Sequence, residues 1–191
     1  MEWRKIMVQS TRVIHLKDMV LMALFAAITC VLAPLAIPIG PVPISLTNFV
    51  IYVSVYVLGW HRATITYVVY LMIGLVGLPV FSGYEGGIGK MAGPTGGYLI
   101  GFIFTAVIAG LFVKLQEERV LMNRVWGMLG MILGTIVAYG FGTAWFCYST
   151  GTGLSAALAL CVFPFIPGDL VKMAVAVVIA PAVAGQIRKM G

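Results

Sequence analysis

Charge is scarce in this sequence of 191 residues. Asp, Glu, Lys and Arg together account for 9% of the residues, while hydrophobic residues account for 61%. Soluble domains carry about a quarter charged residues, because charged groups cover the surface that faces water. So few charges cannot cover such a surface, which excludes a water-soluble globular protein. A lipid bilayer is therefore the expected surroundings of most of the chain.

Cysteine, histidine and catalytic motifs are also scarce. The three cysteines are isolated in apolar stretches, and neither histidine has a carboxylate or a cysteine at ligand spacing. The cysteines are interpreted as small buried hydrophobic residues, so neither a disulfide framework nor a metal site is predicted. No pairing of nucleophile and base is evident, and the stretch GGIGKM lacks the first glycine and the final hydroxyl residue of a Walker motif. We therefore expect a protein that is not an enzyme, has no cofactor and does not hydrolyse ATP itself.

What the sequence does contain is a series of six apolar segments, each long enough to cross a bilayer as a helix. They predict an all-α integral membrane protein, formed by a single domain over residues 1–191 with six transmembrane helices. The predicted spans cover approximately residues 19–37, 44–60, 63–80, 97–115, 126–146 and 167–187.

The net charge of +6 is spread along the chain between these segments. If both termini are cytoplasmic, ten of the twelve Lys and Arg residues face the cytoplasm, and only Lys90 and Lys172 lie in the outer half. The opposite orientation would place those ten outside, which the positive-inside rule disfavours. We therefore expect a multi-pass protein of the cell membrane with both termini cytoplasmic. Its surroundings are membrane lipid, and nucleic acid is not an expected partner. The basic residues that support this orientation are Arg4, Lys5, Arg12, Lys17, Arg62, Lys114, Arg119, Arg124, Arg188 and Lys189.

The outer connections predicted by this topology are rich in glycine and proline. The longest, between the third and fourth spans, has glycine at positions 83, 86, 87, 89, 93, 96 and 97. Irregular backbone near a bilayer is tolerated where it is buried in protein or lines a cavity. The loops are therefore predicted to cover a cavity that opens outward, and a flexible external linker is the alternative for the longest loop. The stretch GPTGGY that follows predicts a helix start with Thr95 as a candidate cap.

Asp169 and Lys172 stand out because they lie three residues apart at the start of the last predicted span, in PFIPGDLVK. Residues at this spacing share one face of a helix, and an ionisable group at the centre of a bilayer costs about 2.5–3.5 kcal/mol. The pair is interpreted as a polar anchor in an apolar pocket, where Asp169 accepts hydrogen bonds from ligand N–H groups and Lys172 donates to a carbonyl or carboxylate. The alternative is that Asp169 caps the helix while Lys172 extends to the lipid headgroups.

Further candidate ligand contacts lie in the same outer half of the chain. Glu85 and Lys90 are candidates for polar contacts, with ordinary solvated charges as the alternative. Aromatic residues near the outer mouth are candidates for apolar walls, and an interfacial aromatic belt is their alternative. The complete set of candidate ligand-binding residues is Phe81, Ser82, Gly83, Tyr84, Glu85, Lys90, Tyr98, Phe163, Asp169 and Lys172.

The first predicted span contains a pair of small residues at helical spacing. Ala23 and Ala27 lie four residues apart within ALFAAITC. Small residues at this spacing let another helix approach closely in lipid. They are therefore candidates for helix docking, and ordinary packing within the chain is the alternative.

Three stretches, PVPISLTNF, GLPVFSGYEGGIGKMAGPTGGYLIGF and PFIPGDLVK, together resemble the BioY family, the biotin-specific substrate-capture (S) subunits of energy-coupling factor (ECF) transporters. The resemblance covers nearly the whole chain. It implies a subunit that captures biotin with high affinity from outside, in a pocket under the outer loops that includes Asp169 and Lys172, and delivers it inward. It also implies that Ala23 and Ala27 dock against a transmembrane coupling subunit and that two ATPase subunits drive transport. The sequence has Thr47 where the family commonly has Gln.

Three alternative functions remain open from the residues themselves. The chain could be an S subunit for a different vitamin, a membrane enzyme that uses Asp169 and Lys172, or a carrier driven by an ion gradient. Biotin suits the predicted anchor because its ureido ring offers two N–H donors and a carbonyl acceptor, which an acid and a base on one helix face can satisfy. Its sulfur ring and aliphatic tail suit apolar and aromatic walls.

Overall fold

The structure of the protein, a computed structural model, describes residues 16–114 and 120–189. Within these ranges the chain is helical, and its extended pairing is limited to two isolated bridges, Ile37 with Ile44 and Phe81 with Glu85. The prediction of an all-α protein is therefore confirmed. The helices are α1 (Leu16–Leu32), α2 (Thr47–Leu75), α3 (Ile88–Ala92), α4 (Gly96–Lys114), α5 (Val120–Thr150), α6 (Leu154–Cys161) and α7 (Ile166–Lys189). Four of the basic residues used to predict orientation lie outside the described residues, namely Arg4, Lys5, Arg12 and Arg119.

Helix α2 consists of two helical segments that meet at Gly59. The backbone of Gly59 has φ 75° and ψ 168°, well outside the helical region. Glycine adopts a positive φ without the steric cost that a side chain would add. The second and third predicted spans therefore follow each other directly, with a change of direction at Gly59 in place of a loop.

The first and third helical segments end earlier than the sequence predicts. Helix α1 ends at Leu32, whereas the predicted span continues to residue 37. Pro34 disfavours helical conformation in the residue before it, which explains this end. Helix α2 ends at Leu75, and Gly77 follows with φ 110°. The residues beyond both ends belong to the loops that the predicted topology places on the outer side.

The outer surfaces of the helices suit a bilayer. In the described part of the chain, three helices are long and apolar enough to cross a membrane, over Gly96–Val113, Asn123–Thr150 and Ile166–Ile187, with mean hydropathies of 2.1, 1.6 and 2.0. Large apolar side chains such as Val31 and Val178 point outward with 66% and 61% exposure. Such a surface is costly in water and is expected in contact with lipid.

Helices α4 and α5 pack closely through small residues. A Cβ atom at Gly101 would lie 3.0 Å from the Cα atom of Ala138, and one at Gly134 would lie 2.9 Å from the Cα atom of Thr105. Because lipid tails are as apolar as the helix surfaces, close backbone approach and hydrogen bonding hold such helices together. Thr105 also donates a hydrogen bond to the carbonyl of Gly134, at 2.9 Å.

The long glycine-rich loop is packed against the rest of the protein. Its backbone bonds to the loop after α1 through Gly83 N and Pro34 O at 3.1 Å, and to α2 through Gly87 N and Gly74 O at 2.7 Å. The Phe81 ring is fully buried and makes an edge-on contact with Tyr70. These contacts argue against the alternative of a flexible external linker.

One end of the helix bundle is held by polar contacts between α1, α2 and α7. Arg62 and Asp18 form a bidentate ion pair, with both N–O distances at 2.8 Å. The neighbouring Lys17 donates a hydrogen bond from Nζ to the carbonyl of Ile187, at 2.9 Å. The start of α1, the middle of α2 and the end of α7 therefore lie together.

Candidate ligand-binding site

Asp169 is a buried carboxylate in the first turn of α7, with 6% exposure. Its Oδ1 accepts hydrogen bonds from Asn48 Nδ2 at 2.7 Å and from Lys172 Nζ at 3.0 Å, and its Oδ2 accepts one from the Tyr139 hydroxyl at 2.6 Å. Pro167 lies just ahead of it, where the fixed φ of proline suits the first helical turn. The Asp169 side chain thus accepts hydrogen bonds from α2 and α5 as well as from its own helix.

Lys172 points into the protein and not toward the surface. Its side chain is 12% exposed, and Nζ donates to the Ser45 carbonyl at 2.7 Å and to Asn48 Oδ1 at 3.1 Å, in addition to Asp169. An ammonium group has three protons, so these three contacts use all of them. The structure therefore contradicts the alternative in which Lys172 extends to the lipid headgroups.

Asn48 joins the two charged residues from the start of α2. Its amide group donates to Asp169, and its carbonyl oxygen accepts from Lys172 and from the Phe49 N–H at 3.0 Å. Asn48, Tyr139, Asp169 and Lys172 form one hydrogen-bonded unit, hereafter the Asp169 network. It connects α2, α5 and α7, so it orients the acid and the base as well as holding the helices.

A cavity lies against the Asp169 network. It contains about 580 Å³ of atom-free space, a volume that includes the open solvent at its mouth. Many of its polar lining groups come from the loop before α2, the start of α2 and α7, and many of its apolar and aromatic side chains come from α4 and the segment before α7. The cavity is lined by Val42, Pro43, Ser45, Thr47, Asn48, Ser82, Thr95, Tyr98, Leu99, Phe102, Tyr139, Cys161, Phe165, Asp169 and Lys172.

Thr95 lines this cavity with an unused hydroxyl group. The residue is 7% exposed, and its Oγ1 is closed off from solvent without a hydrogen-bond partner among the residues that the structure describes. The start of α4 is bonded through the Thr95 carbonyl, which accepts from the N–H groups of Tyr98 and Leu99 at 3.1 and 3.3 Å. The side-chain cap predicted for Thr95 is therefore wrong.

The sequence and the fold are similar to those of known proteins. The family model described as the BioY family matches residues 7–189. The chain belongs to the BioY family. The resemblance inferred from the sequence motifs is thus confirmed.

Relatives of this BioY family member are known as transporters. The chain is 38% identical to a protein named "Probable biotin transporter BioY" from Pyrococcus horikoshii, over 88% of this chain and 97% of the relative. It is 33% identical to "Biotin transporter BioY" from Thermotoga maritima, over 86% and 94% of the two chains. A crystal structure at 2.1 Å of the S-component for biotin from an ECF-type ABC transporter covers 95% of both chains, with 32% identity and a TM-score of 0.78.

Four of the ten residues predicted for the site line the cavity of this BioY family member, namely Ser82, Tyr98, Asp169 and Lys172. The Tyr98 hydroxyl also bonds to Thr143 at 3.0 Å and donates to the Cys161 carbonyl at 3.3 Å. Tyr98 therefore connects α4 with α5 and α6 while its ring forms part of the wall.

The other six predicted residues lie away from the cavity lining. Phe81 is buried under the loop against α2, and Gly83 forms a turn at φ 78°. Glu85 and Lys90 pair with each other at 3.1 Å. Tyr84 and Phe163 are exposed, at 63% and 61%. Of the predicted residues in the glycine-rich loop, only Ser82 therefore reaches the cavity lining.

Asn48, Tyr139 and Thr95 were not among the predicted ligand-binding residues. Asn48 had a usable signal, because an amide side chain within an apolar span is costly unless it is hydrogen-bonded. Tyr139 lies in a long apolar helix among other aromatic residues, so its sequence position alone did not distinguish it. Thr95 was assigned a different role, because threonine before a helix is usually a cap.

The docking candidates of α1 face outward. Ala23 and Ala27 are both exposed, and they share an exposed stripe of α1 with Leu16, Val20 and Val31. The alternative derived from the sequence was ordinary packing within the chain. In the described part of the chain, no such packing covers Ala23 or Ala27. Small residues on an exposed face leave room for a helix from another chain.

Proposed function

We propose that this chain is the biotin-binding S subunit of an ECF-type importer, which captures biotin from outside and delivers it inward. The observation that carries the proposal is the Asp169 network, an acid and a base held side by side at one wall of a largely apolar cavity. The relatives named as biotin transporters and the similar S-component for biotin support the same ligand.

The carboxylate of Asp169 has capacity for one more hydrogen bond. A carboxylate accepts about four hydrogen bonds, and Asp169 accepts three within the protein. A ureido N–H of biotin can therefore bond to Asp169 without displacing a protein donor. The network also pre-orients the carboxylate, so the ligand does not have to order it on binding.

Lys172 has no such capacity, since all three of its protons are already donated to protein oxygens. It contacts a ligand oxygen only if it releases one of these bonds. Thr95 has a hydroxyl group without a hydrogen-bond partner among the described residues, and we assign it as the donor that meets an oxygen atom of the ligand. Tyr98, Leu99 and Phe102 then contact the sulfur ring and the aliphatic tail.

The proposal is tested by calorimetry of biotin binding to the purified protein. Asp169→Asn is expected to weaken binding by about ten- to a hundredfold, because a hydrogen bond to a charged group contributes about 1.5–3 kcal/mol. Asp18→Asn is the matched control. Asp18 lies in α1, beside the opposite end of α7, so this substitution should leave the affinity unchanged. Absence of biotin binding to the unaltered protein, together with tight binding of another vitamin, would overturn the choice of ligand.

The topology and the partners complete the proposal. We place six crossings in the cell membrane with both termini cytoplasmic, counting the two segments of α2 as separate spans. The exposed stripe around Ala23 and Ala27 docks against a transmembrane coupling subunit, and two ATPase subunits supply the energy. Ala27→Trp should reduce co-purification of the coupling subunit while biotin affinity is retained; unchanged co-purification would place the docking surface elsewhere.

The geometry of the site gives little support to the alternative function, a membrane enzyme that uses Asp169 and Lys172. Both Asp169 and Lys172 are held in hydrogen bonds with protein groups, so neither is a free acid or base. Among the residues described, no group of three His, Cys, Asp or Glu side chains is placed to hold a metal ion. The relatives, moreover, are named for transport.

A further inference from the structure

A second depression lies on the side of the bundle, between α5 and α7 and next to α6. It contains about 1050 Å³ of atom-free space, its open mouth included. We refer to it as the apolar groove. Its lining consists of Ile132, Thr135, Ile136, Tyr139, Gly140, Thr143, Ala144, Leu154, Leu158, Val162, Ile166, Asp169, Leu170 and Met173.

The few polar side chains of the apolar groove are already hydrogen-bonded within the protein. Thr135 bonds to Tyr52 at 2.6 Å, Thr143 bonds to Tyr98 at 3.0 Å, and Tyr139 donates to Asp169. A polar occupant would lose its bonds to water and gain few in exchange. The groove therefore suits an apolar occupant.

The mouth of the apolar groove opens toward the surface that lipid covers. Ile136, Leu154 and Leu170 line it and are exposed by 58%, 63% and 45%. Both α5 and α7 are long and apolar enough to cross the membrane. Lining atoms that face an empty gap forfeit their dispersion contacts, and the hydrocarbon of the bilayer is the apolar material next to the mouth.

We propose that the apolar groove binds one acyl chain of a membrane lipid. Tyr139 and Asp169 line both the groove and the ligand cavity, so a bound acyl chain packs against the far side of the wall that carries the Asp169 network. The proposal does not depend on the identity of the vitamin, since it rests on the groove alone.

Gly140 allows the groove to be filled without disturbing the fold. It lines the groove, and a Cβ atom built on it meets no atom within 4 Å. Gly140→Leu therefore extends into open space, and leucine has a higher helix propensity than glycine. Gly185→Leu is the matched control, because Gly185 also has open space around its Cβ position and lies in α7 outside the groove.

The test is native mass spectrometry of the purified full chain, titrated with long-chain phosphatidylglycerol and with the same headgroup on short chains. We expect the unaltered protein and Gly185→Leu to retain one long-chain lipid, and Gly140→Leu to retain it about tenfold more weakly, through loss of van der Waals packing. Short-chain lipid should be retained weakly by all three proteins.

Two results would overturn the proposal. Equal retention of long-chain lipid by Gly140→Leu and by the control would show that the groove is not the binding site. Equal retention of long-chain and short-chain lipid would show that the headgroup is recognised at the surface instead of the acyl chain in the groove. Biotin binding measured on the same samples establishes that each variant is folded, and a failure of biotin binding in all samples would affect only the proposed function.

Discussion

The protein contains two aspartates paired with basic residues, and the pairs lie at opposite ends of α7. Asp169 and Lys172 occupy its first turns, whereas Asp18 and Arg62 lie beside Lys17, which bonds to Ile187 near its last turn. These ends are about 27 Å apart along the helix. The side chains of the Asp169 pair are 8% and 12% exposed, and those of the Asp18 pair are 17% and 40% exposed.

The two pairs differ in how their hydrogen-bonding capacity is used. Arg62 and Asp18 satisfy each other through two parallel contacts of 2.8 Å, which is typical of an ion pair that joins two helices. Asp169 instead shares its oxygens among Asn48, Tyr139 and Lys172 and faces a cavity. Burial and neighbouring groups therefore distinguish an ion pair that joins two helices from a buried pair beside a cavity, for which we propose the role of ligand anchor.

The largest effect on stability is expected when the buried pair is broken on one side only. Asp169→Asn should lower the free energy of unfolding by about 3–5 kcal/mol, because it leaves the Lys172 ammonium buried without a counter-charge. The double variant Asp169→Asn with Lys172→Met should recover much of this loss while biotin binding stays weak. Thermal unfolding in detergent measures both, and a double variant less stable than the single one would contradict the argument from buried charge.

A smaller effect, with opposite signs for binding and stability, is expected at Thr95. Thr95→Val removes the unpaired hydroxyl, so the ligand-free protein should be as stable as before or more stable by up to about 1 kcal/mol. Biotin affinity should fall about tenfold, and Thr95→Ser should keep most of it. Calorimetry and thermal unfolding of the same samples check the two signs.

Thr143→Val is the matched control for Thr95, because the Thr143 hydroxyl is bonded to Tyr98. Its removal should reduce stability, since it leaves the Tyr98 hydroxyl with a weaker set of partners. Unchanged biotin affinity in Thr95→Val would remove Thr95 from the site and leave the hydroxyl without a proposed role.

The smallest effect is expected at the other end of the molecule. Asp18→Asn should cost about 0–1 kcal/mol of stability, because Arg62 is partly exposed and can be solvated when its partner is lost. Biotin affinity should stay the same. Thermal unfolding at low and high salt measures the contribution, and a loss comparable with that of Asp169→Asn would show that the two pairs are equivalent.

Features that depend on local chain geometry could be predicted from the sequence. The apolar segments predicted the helices, and the i, i+3 spacing predicted that Asp169 and Lys172 lie side by side, since both follow from the period of a helix. The helix ends at Leu32 and Leu75 were harder to predict from the sequence. Pro34 and Gly77 favour an end, but the apolar runs continue past both helix ends.

Interactions between distant parts of the chain were the least predictable. Asn48 and Asp169 are separated by 121 residues, and Tyr139 and Asp169 by 30. No periodicity relates such positions, so only the packing of α2, α5 and α7 brings them together. The placement of Phe81, Glu85 and Lys90 outside the cavity lining depends in the same way on how the glycine-rich loop folds back on α2.

The sequence by itself determined that this protein is a helical membrane protein with an acid and a base on one face of its last helix, because composition and helical period act locally along the chain. The tertiary structure decided which groups complete the Asp169 network, which hydroxyl remains unpaired at Thr95, and where the apolar groove opens. These features depend on distances between helices, and such distances are set by close packing of residues far apart in the sequence.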